Sequence, residues 1–162
     1  MQGGLYNTLI RSLQQFGAAD AFGTPAVPLL VLNVTFPLVP EEVTAFCAGK
    51  RAVMIIEEGQ PEYIEQEIAT MLRRRDLNTA LHGKDMMPAV GECTAEAMVD
   101  ALGAFLGQYQ SHPGVASARA WLDANTELRQ SVAGRLTEPL PGRPPSFCIG
   151  CPERPVFSAL KL

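Results

Sequence analysis

The sequence predicts an α/β fold: a three-layer α/β/α sandwich around a mainly parallel sheet. Three observations predict it. Residues 27–34 (Val-Pro-Leu-Leu-Val-Leu-Asn-Val) and 52–56 (Ala-Val-Met-Ile-Ile) are short, branched and apolar without alternation, the pattern of strands covered on both faces. After each comes a stretch whose apolar residues recur every three or four positions, as on a helix with one buried face. Strand and helix patterns alternate along the chain, the order of βαβ units.

The elements follow in order. Over residues 5–16, Leu5, Leu9, Leu13 and Phe16 lie on one helical face with Ile10 beside them. Gly3 and Gly4 suit a sharp exit from a strand, and the expectation is that this first strand lies upstream of Met1. Residues 17–25 read as a loop. Pro28 belongs near the start of the 27–34 strand, because proline cannot serve a central ladder. Pro40 opens a helix, with Glu41 and Glu42 in the first turn, where the dipole favours anions. Val43, Phe46 and Cys47 form its buried stripe and Gly49 ends it. After the 52–56 strand, Pro61 and Glu62 open a helix to about Arg75 carrying Ile64, Ile68, Met71 and Leu72. Residues 79–82 are a weaker strand candidate, and residues 94–106 form a helix burying Met98, Leu102, Phe105 and Leu106. From Gln108 the character changes. A polar helix is expected over 116–136 around Trp121, Leu122 and Leu128. Residues 137–145 hold four prolines, an extended connector, and a helical pattern begins at Val156.

Composition sets limits on function. The 162 residues are 47% apolar and 19% charged, a balance that excludes wholesale disorder. Net charge is −4, and Arg73, Arg74 and Arg75 form the one basic run, too little for a nucleic-acid footprint. No apolar run approaches the roughly 20 residues that span a bilayer, and the opening residues carry no signal-peptide pattern. A soluble, cytoplasmic protein without membrane or nucleic-acid partners is the expectation.

Chemistry-bearing residues gather in three places. Glu57-Glu58-Gly59 and His82-Gly83-Lys84-Asp85 each follow a predicted strand, where open parallel sheets place their binding crevices. Paired carboxylates there suit acid–base or metal work; equally, acidic residues end strands and begin helices at ordinary surfaces. Cys148-Ile149-Gly150-Cys151 is the third. A CxxC at a helix start supports disulfide exchange, but this one follows a proline-rich connector rather than an early strand. It also lacks the second close pair of a zinc site and the four thiolates of a cluster. A glycine turn with two half-buried thiols accounts for it as well. His112 carries no signal, and Met86 and Met87 suit packing or a contact surface.

Taken together, two stretches resemble a known family. The first contains Leu32-Asn33-Val34-Thr35-Phe36-Pro37, then Val53-Met54-Ile55-Ile56-Glu57-Glu58, then His82-Gly83-Lys84-Asp85 and Gly91-Glu92. The second is Arg143-Pro144-Pro145-Ser146-Phe147-Cys148-Ile149-Gly150-Cys151-Pro152. Their order resembles the large subunits of indolepyruvate ferredoxin oxidoreductases, of the 2-oxoacid:ferredoxin oxidoreductase superfamily. The resemblance implies a transketolase C-terminal-like domain over 1–108, a linker with a helix over 109–143, and the opening of a thiamine-diphosphate-binding domain over 144–162. It implies that Gly150, Cys151 and Pro152 match the turn that approaches the cofactor, with Glu153 standing where many members have histidine.

For the parent enzyme the resemblance implies thiamine diphosphate, Mg²⁺ and [4Fe-4S] clusters as cofactors. It implies an arylpyruvate, coenzyme A, ferredoxin and other domains or subunits of the enzyme as partners. The family's Gly-Asp-Gly motif, which holds metal and diphosphate, does not occur in this sequence. This chain is therefore expected to bind no cofactor alone and to supply scaffold and subunit contacts, with no catalytic side chain. The competing readings are an α/β assembly module with a CxxC tail, and a small thiol-redox protein.

Overall fold

The computed structural model describes residues 1–136, 138 and 154–160. Two parallel strands, β1 (Ala52–Met54) and β2 (Ala80–His82), pair with Val53 opposite Leu81 and flank α3 (Tyr63–Arg74) in sequence. This is the βαβ unit the apolar runs predict. Pairing continues past the strand ends: the Ile55 N–H donates to the His82 carbonyl at 2.6 Å and the Ala80 N–H to Arg51 at 3.1 Å.

On the far side of β1 lies the amino terminus. Gln2 donates its N–H to Ile56 at 3.1 Å and forms a parallel bridge with Leu32. Leu32 N–H donates to Met1 and Gly3 N–H to Leu32, at 2.8 and 3.1 Å. The rows across the layer therefore run 27–32, 1–2, β1, β2.

A regular strand over 27–34 is not formed; within that stretch only Leu32 is bridged. The reason is the ladder itself. A parallel strand needs a neighbour to pair with, and Met1–Gly3 reach only residues 30–32, while residues 33–37 are exposed.

Both faces of the layer are covered. Val53, Ile55 and Leu32 pack with Val43 and Cys47 of α2 (Pro40–Cys47) and with Ile64, Ile68 and Leu72 of α3. Ile56 points the other way, as alternation along a strand requires. It packs with Leu9 and Leu13 of α1 (Tyr6–Gln15) and with Met98, Val99 and Leu102 of α4 (Ala95–Tyr109). Helix, sheet, helix: these are the three layers.

Local signals set the helix ends. Pro40, Glu41 and Glu42 open α2, and Gly49, at φ 71°, turns the chain out in the left-handed region after it. The Thr94 hydroxyl caps α4 by accepting the Ala97 N–H. Gly114 opens α5 (Gly114–Ala133) where a Cβ would overlap the Phe16 backbone carbonyl, so only glycine permits this approach to the end of α1. Met1–Glu127 form one compact unit and Leu128–Leu162 another, which includes α6 (Arg154–Ala159). Among the described residues, no helix is long and apolar enough to cross a membrane.

Candidate functional site

At the carboxyl ends of β1 and β2 the chain places both clusters that the sequence singles out. Glu57 is buried at 6% exposure, and an unpartnered carboxylate there would be costly. Its partners are the first N–H groups of α3: Ile64 at 3.0 and 3.2 Å, and Glu65 at 3.2 Å. Those donors have no intrahelical acceptor, and Glu62, at the N-cap position, makes no side-chain cap. Glu57 therefore caps α3 from the end of β1, in the field of the helix dipole.

The remaining carboxylates act similarly. Glu58 accepts the Cys93 N–H at 2.8 Å, and its own N–H donates to Gln2 Oε1 at 2.9 Å. Glu65 accepts the Lys84 N–H at 2.9 Å. The Lys84 ammonium donates to the carbonyls of Glu57 and Pro88, at 2.8 and 3.3 Å. The Glu58–Cys93, Glu65–Lys84 and Lys84–Glu57 contacts tie the segment that follows β1 to the loop that follows β2.

His82 is the centre of a second group. Asp85 can only accept, so His82 Nδ1–H donates to it at 2.6 Å, and Nε2 is hydrogen-bonded to the Tyr109 hydroxyl at 2.5 Å. Phe105 meets the imidazole edge-on at 6.0 Å. The side chain of His82 is 14% exposed and that of Asp85 52%. Burial raises the Asp85 pKa, but hydrogen bonds from His82 and the Gly83 N–H, with the His82 charge, outweigh it and hold the carboxyl below its usual value. This arrangement orients a histidine and a phenol. Both ring nitrogens are engaged within the chain, leaving neither aimed at an open site.

The thiols here are inert in kind. Burial pushes the Cys93 pKa up, the Glu58 carboxylate adds to the rise, and Lys84 only partly offsets it. Cys47 is likewise raised by burial, against the pull of Lys50. His112 accepts the Gly114 N–H at 3.1 Å and packs on Phe16, a structural role. Met87 is buried in the α1–α4 core and Met86 packs against it. Gly150, Cys151 and Pro152, with Cys148 and Glu153, lie outside the described residues.

Sequence reasoning finds Glu57, Glu58, His82, Lys84 and Asp85 as a strand-end constellation. It misses Gln2, Glu65 and Tyr109, which complete it. Tyr109 carried a usable signal: it lies four residues after Phe105 on the stripe of α4 and so shares its face.

The fold and site define an α/β domain with a parallel sheet, whose strand-end polar groups brace the backbone. In sequence, the chain is similar to indolepyruvate oxidoreductase subunit IorA of several archaea. It is 31% identical to the Pyrococcus abyssi subunit over 139 residues, which is 86% of this chain and 19% of that subunit. The Thermococcus kodakarensis subunit is also 31% identical, with 86% and 20% covered. The Methanothermobacter thermautotrophicus subunit is 26% identical over 98% of this chain and 22% of its own length. This chain thus spans about a fifth of the length of the curated relatives it matches. No protein-family model matches the chain, and no solved structure does.

Proposed function

We propose that this chain is a scaffold segment of a thiamine-diphosphate-dependent 2-oxoacid:ferredoxin oxidoreductase acting on arylpyruvates such as indolepyruvate. Oxidative decarboxylation by the whole enzyme yields an acyl-CoA and reduces ferredoxin. The similarity to IorA subunits supports the enzyme, and the bracing role of Glu57 supports the scaffold. A carboxylate meant for chemistry faces a crevice, whereas this one is buried and saturated by helix N–H groups.

Magnesium in such an enzyme needs a set of oxygen donors. Among the described residues, no group of three or more His, Cys, Asp or Glu side chains converges on one point. The strand-end carboxylates are already engaged by N–H groups. We route no step of the reaction through these carboxylates. Gly150, Cys151 and Pro152 are the positions we assign to cofactor approach, as backbone neighbours in a larger enzyme.

The test uses the assembled enzyme. The matching segment of the Pyrococcus abyssi subunit is replaced by this chain, and indolepyruvate- and coenzyme A-dependent ferredoxin reduction is assayed. Retained turnover is expected. Assembly without turnover, in a folded complex still containing its cofactors, contradicts the scaffold role.

A further inference from the structure

His82 joins three separate segments at one ring. It ends β2, its Nδ1 lies 2.6 Å from Asp85 in the loop that follows, and its Nε2 lies 2.5 Å from the hydroxyl of Tyr109, the last residue of α4. Arg51, just before β1, donates to the Tyr109 carbonyl and holds its guanidinium 5.2 Å from the centre of the Tyr109 ring. The other oxygen of Asp85 accepts the Gly83 N–H at 2.7 Å, so that carboxylate is fixed from two sides. On α4, the Gln108 amide donates to the Tyr109 oxygen at 3.3 Å.

The direction of bonding along this row depends on one proton. With Nδ1–H committed to Asp85, a neutral imidazole has only an acceptor left at Nε2, and the Tyr109 O–H is its donor. A second proton turns Nε2 into a donor too. The Tyr109 oxygen must then accept from Nε2 while it also faces the Gln108 amide. Its own O–H hydrogen loses its partner, and among the described residues no other acceptor meets it. The imidazolium also brings a second cation to a ring that Arg51 already covers. Toward Asp85 the same proton acts the other way, because a hydrogen bond between opposite charges is the stronger kind. The remaining charged groups close by are already committed. Glu65, from α3, lies against Gly83 and accepts the Lys84 N–H, and the Lys84 ammonium is turned to the carbonyls of Glu57 and Pro88.

We propose that His82 is a proton-operated latch: neutral, it holds the last turn of α4 to the end of β2; protonated, it stays on Asp85 and lets that turn go. The inference rests on the bonding geometry and not on the enzymatic reading.

Nuclear magnetic resonance of the full chain tests it. At alkaline pH the ring nitrogens of His82 are expected to report the Nδ1–H form. His112, whose Nδ1 accepts the Gly114 N–H at 3.1 Å, should report the opposite, Nε2–H form in the same spectrum. As His82 titrates, amide protection at Gln110, whose N–H donates to Leu106 at 2.8 Å, is expected to fall about fivefold with the same midpoint. The Gly83 N–H, bonded to Asp85, keeps its protection. Tyr109→Phe, which has no hydroxyl to release, is expected to lose the step at Gln110. A neutral His82 protonated at Nε2, or Gln110 protection that is unchanged through the titration, overturns the proposal on the parent chain alone. A full step retained in Tyr109→Phe also overturns it, assigning the change to a group other than this bond.

Discussion

The carboxylate of Glu57 accepts the Ile64 N–H through both its oxygens, at 3.0 and 3.2 Å, closing the first turn of α3 from the end of β1. The contact is buried and charge-assisted, the circumstances in which losing one partner is most expensive. Glu57→Ala leaves the Ile64 and Glu65 donors without their acceptor and is expected to cost about 2–3 kcal/mol. Glu57→Gln keeps one acceptor oxygen and should cost about half as much. Urea melts of the three proteins measure the order; a Glu57→Ala protein as stable as the parent contradicts the capping role.

Tyr109 and His82 should be coupled energetically. Tyr109→Phe removes the hydroxyl's bond to His82, worth about 1 kcal/mol, and the exposed, longer one from Gln108. Because Phe105 and Tyr109 both pack on the imidazole, a double-mutant cycle with His82→Ala is expected to give an interaction energy of about 1 kcal/mol. Strict additivity contradicts a direct bond.

Acid should weaken the same cluster. The Asp85 carboxyl is held below its ordinary value in the folded state. Its contribution is therefore full above the unfolded value, about 4, and is lost as pH falls through the folded value. Asp85→Asn should flatten the acid limb of the stability curve below about pH 4. With half of the side chain exposed, the effect is modest and shrinks at high salt. An unchanged acid limb in the variant contradicts it.

Gly83 has no room for a side chain. A Cβ there would overlap the Glu65 carboxylate, which is fixed by the Lys84 N–H. Gly83→Ala must displace that carboxylate and lose its bond, a cost of about 1–2 kcal/mol. In a Glu65→Ala background the same change should cost much less. Equal costs in both backgrounds would mean the overlap is relieved elsewhere.

Cys47 and Cys93 are buried with raised pKa values, so neither presents thiolate near neutral pH. Iodoacetamide on the native protein, followed by peptide mass analysis, should leave both unmodified until urea unfolds the chain. Labelling as fast as that of a free thiol contradicts their burial.

Much of this architecture is legible in the residues themselves. Stripes such as Leu9–Leu13 and Ile64–Ile68–Leu72 place α1 and α3 because a period near 3.6 requires a neighbouring layer. Pro40 and Gly49 bracket α2 through backbone chemistry alone. The 52–56 run announces β1 because it has no polar face. The 27–34 run carries the same pattern yet forms no regular strand, since pairing depends on a neighbouring row that composition does not reveal. The site was legible as residues and illegible as roles. Glu57 and Glu58 read equally as acids or braces until their partners are seen seven and thirty-five residues away. Only folding shows that those partners are backbone N–H groups.

If this chain contributes framework and leaves cofactor capture to other parts of the enzyme, isothermal titration of the chain with Mg²⁺–thiamine diphosphate should give no saturable heat at millimolar cofactor. A saturating isotherm with micromolar affinity, dependent on Mg²⁺, would contradict it.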